Sequence, residues 1–172
     1  MDDKIFRAIT LFSGRISIVD KLMILISNRA RYVYLIILLC LWFKNRASKQ
    51  ASKQALVAGV IGYVLNILIK CFYFKPRPFV KKRVGILIPS KKDSTFPSKH
   101  TLLSFAVSTT LFLYNRTIGS LMIGLSTLTG FSRIWVGHHY PSDIIFSAVL
   151  GSMTGIFVRY YDYLQKRMAW LK

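Results

Sequence analysis

The chain has 172 residues, carries 25 Lys and Arg against 6 Asp and Glu for a net charge of +19, and is 53% hydrophobic. That length suits one domain, and so apolar a chain with so strong a basic excess suits an integral membrane protein meeting anionic lipid. A soluble nucleic-acid binder would spread its cations over faces of amphipathic elements, whereas here they collect between apolar blocks, so no nucleic-acid partner is expected.

The first stretch, residues 1–28, predicts an amphipathic N-terminal helical segment. Ile5, Ile9 and Phe12 fall at helical spacing among Arg7, Arg15, Asp20 and Lys21. Such a segment lies in the membrane interface, with Leu22–Ile26 dipping inward or packing on the bundle. The start Met1-Asp2-Asp3-Lys4 is not the cationic region of a cleavable leader. Cys40 and Cys71 sit in apolar surroundings without C-x-x-C spacing, so no disulfide framework is read.

Five uncharged apolar runs follow within a core at 30–161: Tyr32–Phe43, Ala55–Ile69, Thr101–Asn115, Ile118–Ser132 and Ile144–Val158. They are 12 to 15 residues long. A span needs roughly 17–25, so flanking Lys, Arg, Tyr and Trp must complete each one in the headgroup layer. A soluble helical core is the alternative, but five such runs need more amphipathic covering than this chain has. The segment 44–54 reads as a polar, low-complexity cytoplasmic linker, with Ala-Ser-Lys-Gln at 47–50 and again at 51–54. The expected fold is an all-α integral membrane bundle of five to six transmembrane helices, a single membrane-embedded domain over 1–172. Six spans would put the N-terminus in the cytoplasm.

The cations of 44–54 and of the tail after Arg159 orient these ends to the cytoplasm. Residues 70–100 and 133–143 then share the outer face. The outer loop is itself basic, with Lys75, Arg77, Lys81, Lys82, Arg83, Lys91 and Lys92, which a demand for external cations would explain.

Three segments on that face carry chemistry. Lys70 lies near the end of the second run, and Pro76 and Pro78 fix the backbone around Arg77, so two cations are held at the membrane edge. In Phe96-Pro97-Ser98-Lys99-His100, a helix starting near Ser98 offers free N–H groups and a positive dipole end to a phosphate. Ser98 either caps that helix or bonds a phosphate oxygen, and His100 is placed to protonate a leaving oxygen. The stretch Ser132 to Asp143 holds Arg133, suited to clamping phosphate oxygens, and His139, a nucleophile if its other nitrogen is held. A carboxylate such as Asp143 would hold it. His138 reads as an interfacial neighbour.

Lys70-x6-Arg77-Pro78, Pro97-Ser98-x-His100 and Ser132-Arg133-x5-His139-x3-Asp143 together resemble the three-part signature of the type 2 phosphatidic acid phosphatase superfamily. The resemblance spans about residues 17–160. The size and the motifs Tyr73-Phe-x-Pro-Arg-Pro-Phe79 and Thr129 to Pro141 are similar to the bacitracin-resistance type undecaprenyl-diphosphate phosphatases of bacteria. One departure is Lys99, where the superfamily usually has glycine; it adds a cation beside the site or faces solvent.

The resemblance implies a hydrolase of the bacterial inner membrane with its site facing outside. It recycles a polyprenyl diphosphate, its lipid partner, to the monophosphate carrier. Lys70, Arg77 and Arg133 would bind the terminal phosphate with Ser98 and the Lys99 amide assisting. His139 would form a phosphohistidine, Asp143 would orient it, and His100 would serve as acid and then base. No cofactor or metal is required. A phosphatidylglycerol phosphate or phosphatidic acid phosphatase remains the alternative substrate reading. A noncatalytic basic protein binding anionic lipid is the alternative of another class. A metal site from His100, His138, His139 and Asp143 would lack regular ligand spacing.

Overall fold

Prolines stand at 76, 78, 89, 97 and 141, which leaves long stretches free of the residue that most strongly breaks helices. The computed structural model describes residues 2–81, 86–90 and 93–170, which are helical apart from the connections and the 86–90 segment. The elements are α1 (Asp2–Thr10), α2 (Ser17–Lys44), α3 (Arg46–Phe72), α4 (Pro78–Lys81), α5 (Lys99–Tyr114), α6 (Arg116–Trp135) and α7 (Pro141–Trp170). No strand occurs among the described residues. Of the basic outer loop, Lys82, Arg83, Lys91, Lys92 and the side chain of Lys81 lie outside them.

Two boundaries differ from the sequence reading. The N-terminal segment is not one helix. It breaks over 11–16, where Gly14 takes a positive φ of 81°, and the Gly14 N–H donates to Asp20 Oδ1 at 3.1 Å. From Ser17 the chain is helical without interruption to Lys44, through Asn28, Arg29 and Arg31. These polar residues flank the apolar run without ending the helix, because Arg costs little helix propensity.

The 44–54 segment is not a linker. Only Asn45 separates α2 from α3, and its side-chain oxygen accepts from Ser48 N at 2.8 Å, capping α3. The duplicated Ala-Ser-Lys-Gln has a period of four, near the 3.6-residue helical turn. It therefore stacks Ala51 and Ala55 in the core and puts Gln50 and Gln54 on one side, where both donate to Asp162 Oδ1 of α7 at 2.9 and 3.0 Å. Asp162 also accepts from Tyr114, Arg159 and Lys166, tying α3, α5 and α7 at this end. The α5–α6 corner repeats the device, with Asn115 Oδ1 accepting from Ile118 N at 2.9 Å.

Such short corners force antiparallel neighbours. The start of α2, the end of α3, the start of α5, the end of α6 and the start of α7 therefore share one end of the bundle. Helix α5 is central and packs against α2, α3, α6 and α7. Its buried face mixes Leu102, Ala106, Val107 and Leu111 with Thr101, Ser104, Ser108 and Thr110. Interior hydroxyls pair with one another, as Tyr34 Oη with Ser126 Oγ at 2.7 Å and Ser126 Oγ with Ser108 Oγ at 3.0 Å. The exterior is apolar instead: Leu35, Ile36 and Leu39 of α2, Val60 and Ile67 of α3, and Val149, Met153 and Phe157 of α7 are exposed. Lipid, not water, suits that surface.

Helices α2, α3 and α7 are each long and apolar enough to cross a membrane. Helix α5, with 16 residues, is shorter, and its polar residues face partner helices rather than lipid.

Small residues let α7 lie against α5. A Cβ on Gly151 would stand 2.3 Å from the Leu102 carbonyl oxygen, and one on Gly155 would stand 2.8 Å from that of Ala106. Gly151→Leu is expected to force the two backbones apart and lower the apparent melting temperature in detergent by about 2–12 °C. An unchanged melting curve would contradict this packing.

Candidate active site

The site forms where five helix ends meet. After α3 the chain runs extended over 73–77, because Pro76 and Pro78 preclude helix there. The 93–95 segment pairs with it: Thr95 N donates to Lys75 O at 2.8 Å and Lys75 N donates to Ser94 Oγ at 3.2 Å. Pro97 is held from α3, where buried Asn66 donates from Nδ2 to its carbonyl at 3.0 Å. Helix α5 then starts at Lys99 with Ser98 in the N-cap position. After α6, Gly137 takes a φ of 83°, and Arg133 O accepts from both His138 N and His139 N at 3.0 and 3.2 Å. This tight turn folds both imidazoles inward, leaving each 2% exposed.

Asp143 and His139 meet through a third group. Thr95 Oγ1 lies 2.8 Å from Asp143 Oδ2 and 3.1 Å from His139 Nδ1. A carboxylate only accepts, so the hydroxyl donates to Asp143 and accepts from Nδ1–H. The neutral imidazole then keeps its lone pair on Nε2. Asp143 is fully buried and also accepts from Lys75 Nζ at 2.6 Å and Tyr140 N at 3.0 Å. Lys75 lies 3.6 Å from Asp2 of α1 as well, with its ammonium over the Tyr140 ring. Phe6 of α1 also packs against that ring, with centroids 5.4 Å apart.

Lys70 and Arg77 converge on a carboxylate. Asp93 Oδ2 accepts from Lys70 Nζ at 3.0 Å, while Oδ1 accepts from Arg77 Nε at 3.0 Å and lies 2.8 Å from Nη2. Burial alone would raise the Asp93 pKa, but the two cations hold it below the usual carboxylate value.

Arg133 is buried, donates from Nη1 to Ser27 Oγ of α2, and has an Nε with no partner. It lines a cavity of about 450 Å³ together with His100 and His138. His138 Nε2 is 2.7 Å from the Ile88 carbonyl, which only accepts, so the proton is on Nε2 and the buried Nδ1 is an acceptor without a partner. Ser98 Oγ pairs with Thr101 Oγ1 at 3.0 Å, and Ser98 N donates to Ser147 Oγ at 2.8 Å. The Lys99 ammonium turns to the Tyr63 ring on α3, 5.8 Å from its centroid. Among the described residues no three His, Cys, Asp or Glu side chains group as a metal would need.

The structure thus gathers the sequence-expected residues in three clusters: Lys70 with Arg77, His139 with Asp143, and His100 with Arg133. The Ser98 side chain is buried in local packing, and the exposed Lys99 side chain turns to Tyr63. Sequence reasoning missed Thr95, Asp93 and Ser27, and took Lys75 for a surface cation and His138 for an interfacial neighbour. Single residues outside the spaced motifs carry no signal of their own; only the fold brings them in.

This arrangement belongs to a known architecture. The chain is a member of the PAP2 superfamily, whose profile matches residues 51–167. It is 42% identical over 167 residues to the undecaprenyl-diphosphatase BcrC of Bacillus subtilis (strain 168), covering 96% of this chain and 86% of that one. The crystal structure of Aquifex aeolicus LpxE superimposes with a TM-score of 0.78 at 26% identity, over 90% of this chain and 92% of that one. A PAP2 type phosphatidylglycerolphosphate phosphatase from Bacillus subtilis shares the fold at a TM-score of 0.76 and 18% identity, over 94% and 84% of the two chains. The family read from the three motifs and the all-helical membrane class read from composition and the apolar runs are both borne out.

Burial, with the charge of Arg133 beside it, pushes His138 down to about 4. Burial first, then Arg133 and Arg77, holds His139 well below its ordinary 6.5. An unfolded chain takes up protons at both as pH falls through about 6.5, while the folded chain resists them, so folding weakens as pH drops below that value. The apparent melting temperature is expected to be several degrees lower at pH 5 than at pH 7, and His138→Asn should remove part of that difference. A pH-independent melt would refute the buried neutral imidazoles.

Proposed function

We propose that the protein is a membrane phosphatase that hydrolyses undecaprenyl diphosphate to undecaprenyl phosphate and inorganic phosphate. The observation that carries this reading is the His139–Thr95–Asp143 chain, which leaves Nε2 of His139 unprotonated beside the cationic clamps. The substrate is suggested by the 42% identity to a protein named undecaprenyl-diphosphatase, extending over nearly the whole chain.

In this mechanism Lys70, Arg77 and Arg133 take up the oxygens of the terminal phosphate. Lys70 and Arg77 turn from Asp93, and the free Nε of Arg133 gains an acceptor. Helix-start amides at Ser98 and Lys99 add donors. Nε2 of His139 attacks the terminal phosphorus, the P–N bond forms, and the bond to the bridging oxygen breaks. His100 gives its proton to that oxygen as the lipid phosphate departs. His100 then removes a proton from water, the hydroxide attacks phosphorus, the P–N bond breaks and phosphate leaves. Thr95 and Asp143 stabilise the imidazolium that exists while His139 is phosphorylated. The fixed cations neutralise charge on the equatorial oxygens.

The same reading puts α2, α3, α5, α6 and α7 across the inner membrane with the site on its outer face. Helix α1 lies in the outer interface, and the Asn45 and Asn115 corners are cytoplasmic. The cations around those corners support this orientation.

The test is phosphate release from undecaprenyl diphosphate by detergent-purified protein with EDTA present, with phosphatidylglycerol phosphate in parallel. His139→Ala should abolish release, and Thr95→Val should lower kcat roughly 10²-fold with a smaller change in KM. Release by the His139→Ala protein at the parent rate would sink the mechanism. Preference for the glycerolipid would move the substrate.

A further inference from the structure

The mechanism above employs Arg133 and His100, and the cavity they line also holds two more arginines that nothing in the terminal-phosphate chemistry uses. Arg29 and Arg31 of α2 line that cavity with Arg133 and His100. Both guanidinium groups sit by the ring of Tyr32, 5.8 and 5.0 Å from its centroid, and Arg31 Nη2 donates to Tyr32 Oη at 3.2 Å. No carboxylate pairs with either arginine among the described residues, and no Asp or Glu lines the cavity among them. Three guanidinium groups around one cavity repel one another until an anion enters, and the buried Nε of Arg133 at the same place has no protein partner. Arginines amid the otherwise apolar turns of a long membrane helix are costly to keep.

Reaction geometry says which anion. In the attack by His139 the bridging oxygen departs, and His100 protonates it. In a diphosphate the second phosphorus is bonded to that same oxygen, so the second phosphate lies within a bond length or two of the oxygen His100 serves. The cavity beside His100 is the one with Arg29 and Arg31. We infer that Arg29 and Arg31, held by Tyr32, form a subsite for the second, lipid-proximal phosphate of a prenyl diphosphate. The inference rests on the reading of the site given under Proposed function. It assigns to α2 the selection of diphosphate over monophosphate, for which the Lys99 side chain, turned toward α3, is not placed. With a single-phosphate lipid the leaving oxygen carries carbon, and the two arginines gain no partner.

The test compares parent and R29Q/R31Q proteins in detergent. Two non-hydrolysable ligands are titrated, farnesyl methylenediphosphonate and farnesyl phosphonate, and phosphate release from undecaprenyl diphosphate is measured on the same preparations. Both arginines are exposed, so the variant should melt like the parent. Its affinity for the diphosphonate should fall about 10–100-fold, with kcat/KM on the diphosphate falling in parallel, while affinity for the phosphonate stays near the parent value. Equal losses on both ligands, or no loss on either, overturns the subsite. So does a parent that binds the diphosphonate no better than the phosphonate. Selective loss of diphosphonate binding in a protein whose parent releases no phosphate would uphold the subsite and reject the proposed reaction.

Discussion

A carboxylate with no exposed surface must be satisfied from every side, and the site end of this bundle is organised by meeting that demand at Asp143. Its partners come from three places in the chain: Lys75 after α3, Thr95 before α5 and the Tyr140 amide before α7. Lys75 in turn reaches Asp2, and Ser142 donates to Asp2, so α1 is drawn onto the same point. Leaving Asp143 charged but unpartnered would cost several kcal/mol, which is why the surrounding segments cannot shift independently. The tautomer of His139 follows from this arrangement rather than from any property of the histidine itself.

The bundle reverses the usual distribution of polarity. Serine and threonine hydroxyls pair in its interior, and leucine, isoleucine and phenylalanine face outward. In lipid, apolar burial gives helices little reason to associate, so close contact through Gly151 and Gly155 and interior hydrogen bonds must do so. Asp162 makes the corresponding polar knot at the far end, with five donors from three helices.

The spaced motifs made much of the candidate site's geometry legible. Lys70-x6-Arg77, Pro97-Ser98-x-His100 and Arg133-x5-His139-x3-Asp143 each fall at a helix end, where local sequence decides geometry. Thr95 was not legible, because a lone threonine two residues before Pro97 acquires its role only when α7 brings Asp143 beside it. Arg29 and Arg31 stand between the 1–28 segment and the apolar run that begins at Tyr32, where sequence assigns them no role, and only the continuity of α2 carries them to the cavity. The misreading of 44–54 has a plain cause. Lysine, serine and glutamine look like linker residues by composition, yet a four-residue period is also the signature of a helix face, and the apolar partners of that face lie on other helices.

The two corners opposite the site are each made by one asparagine that caps the helix it begins. A single-residue turn has almost no freedom to open, and Asp162 locks α3, α5 and α7 beside those corners. Rearrangement on binding and releasing a bulky lipid therefore has to be a splaying of the bundle from a fixed base. The helices would move like tines of a fork held at the handle, with displacement growing toward the end that holds the candidate site.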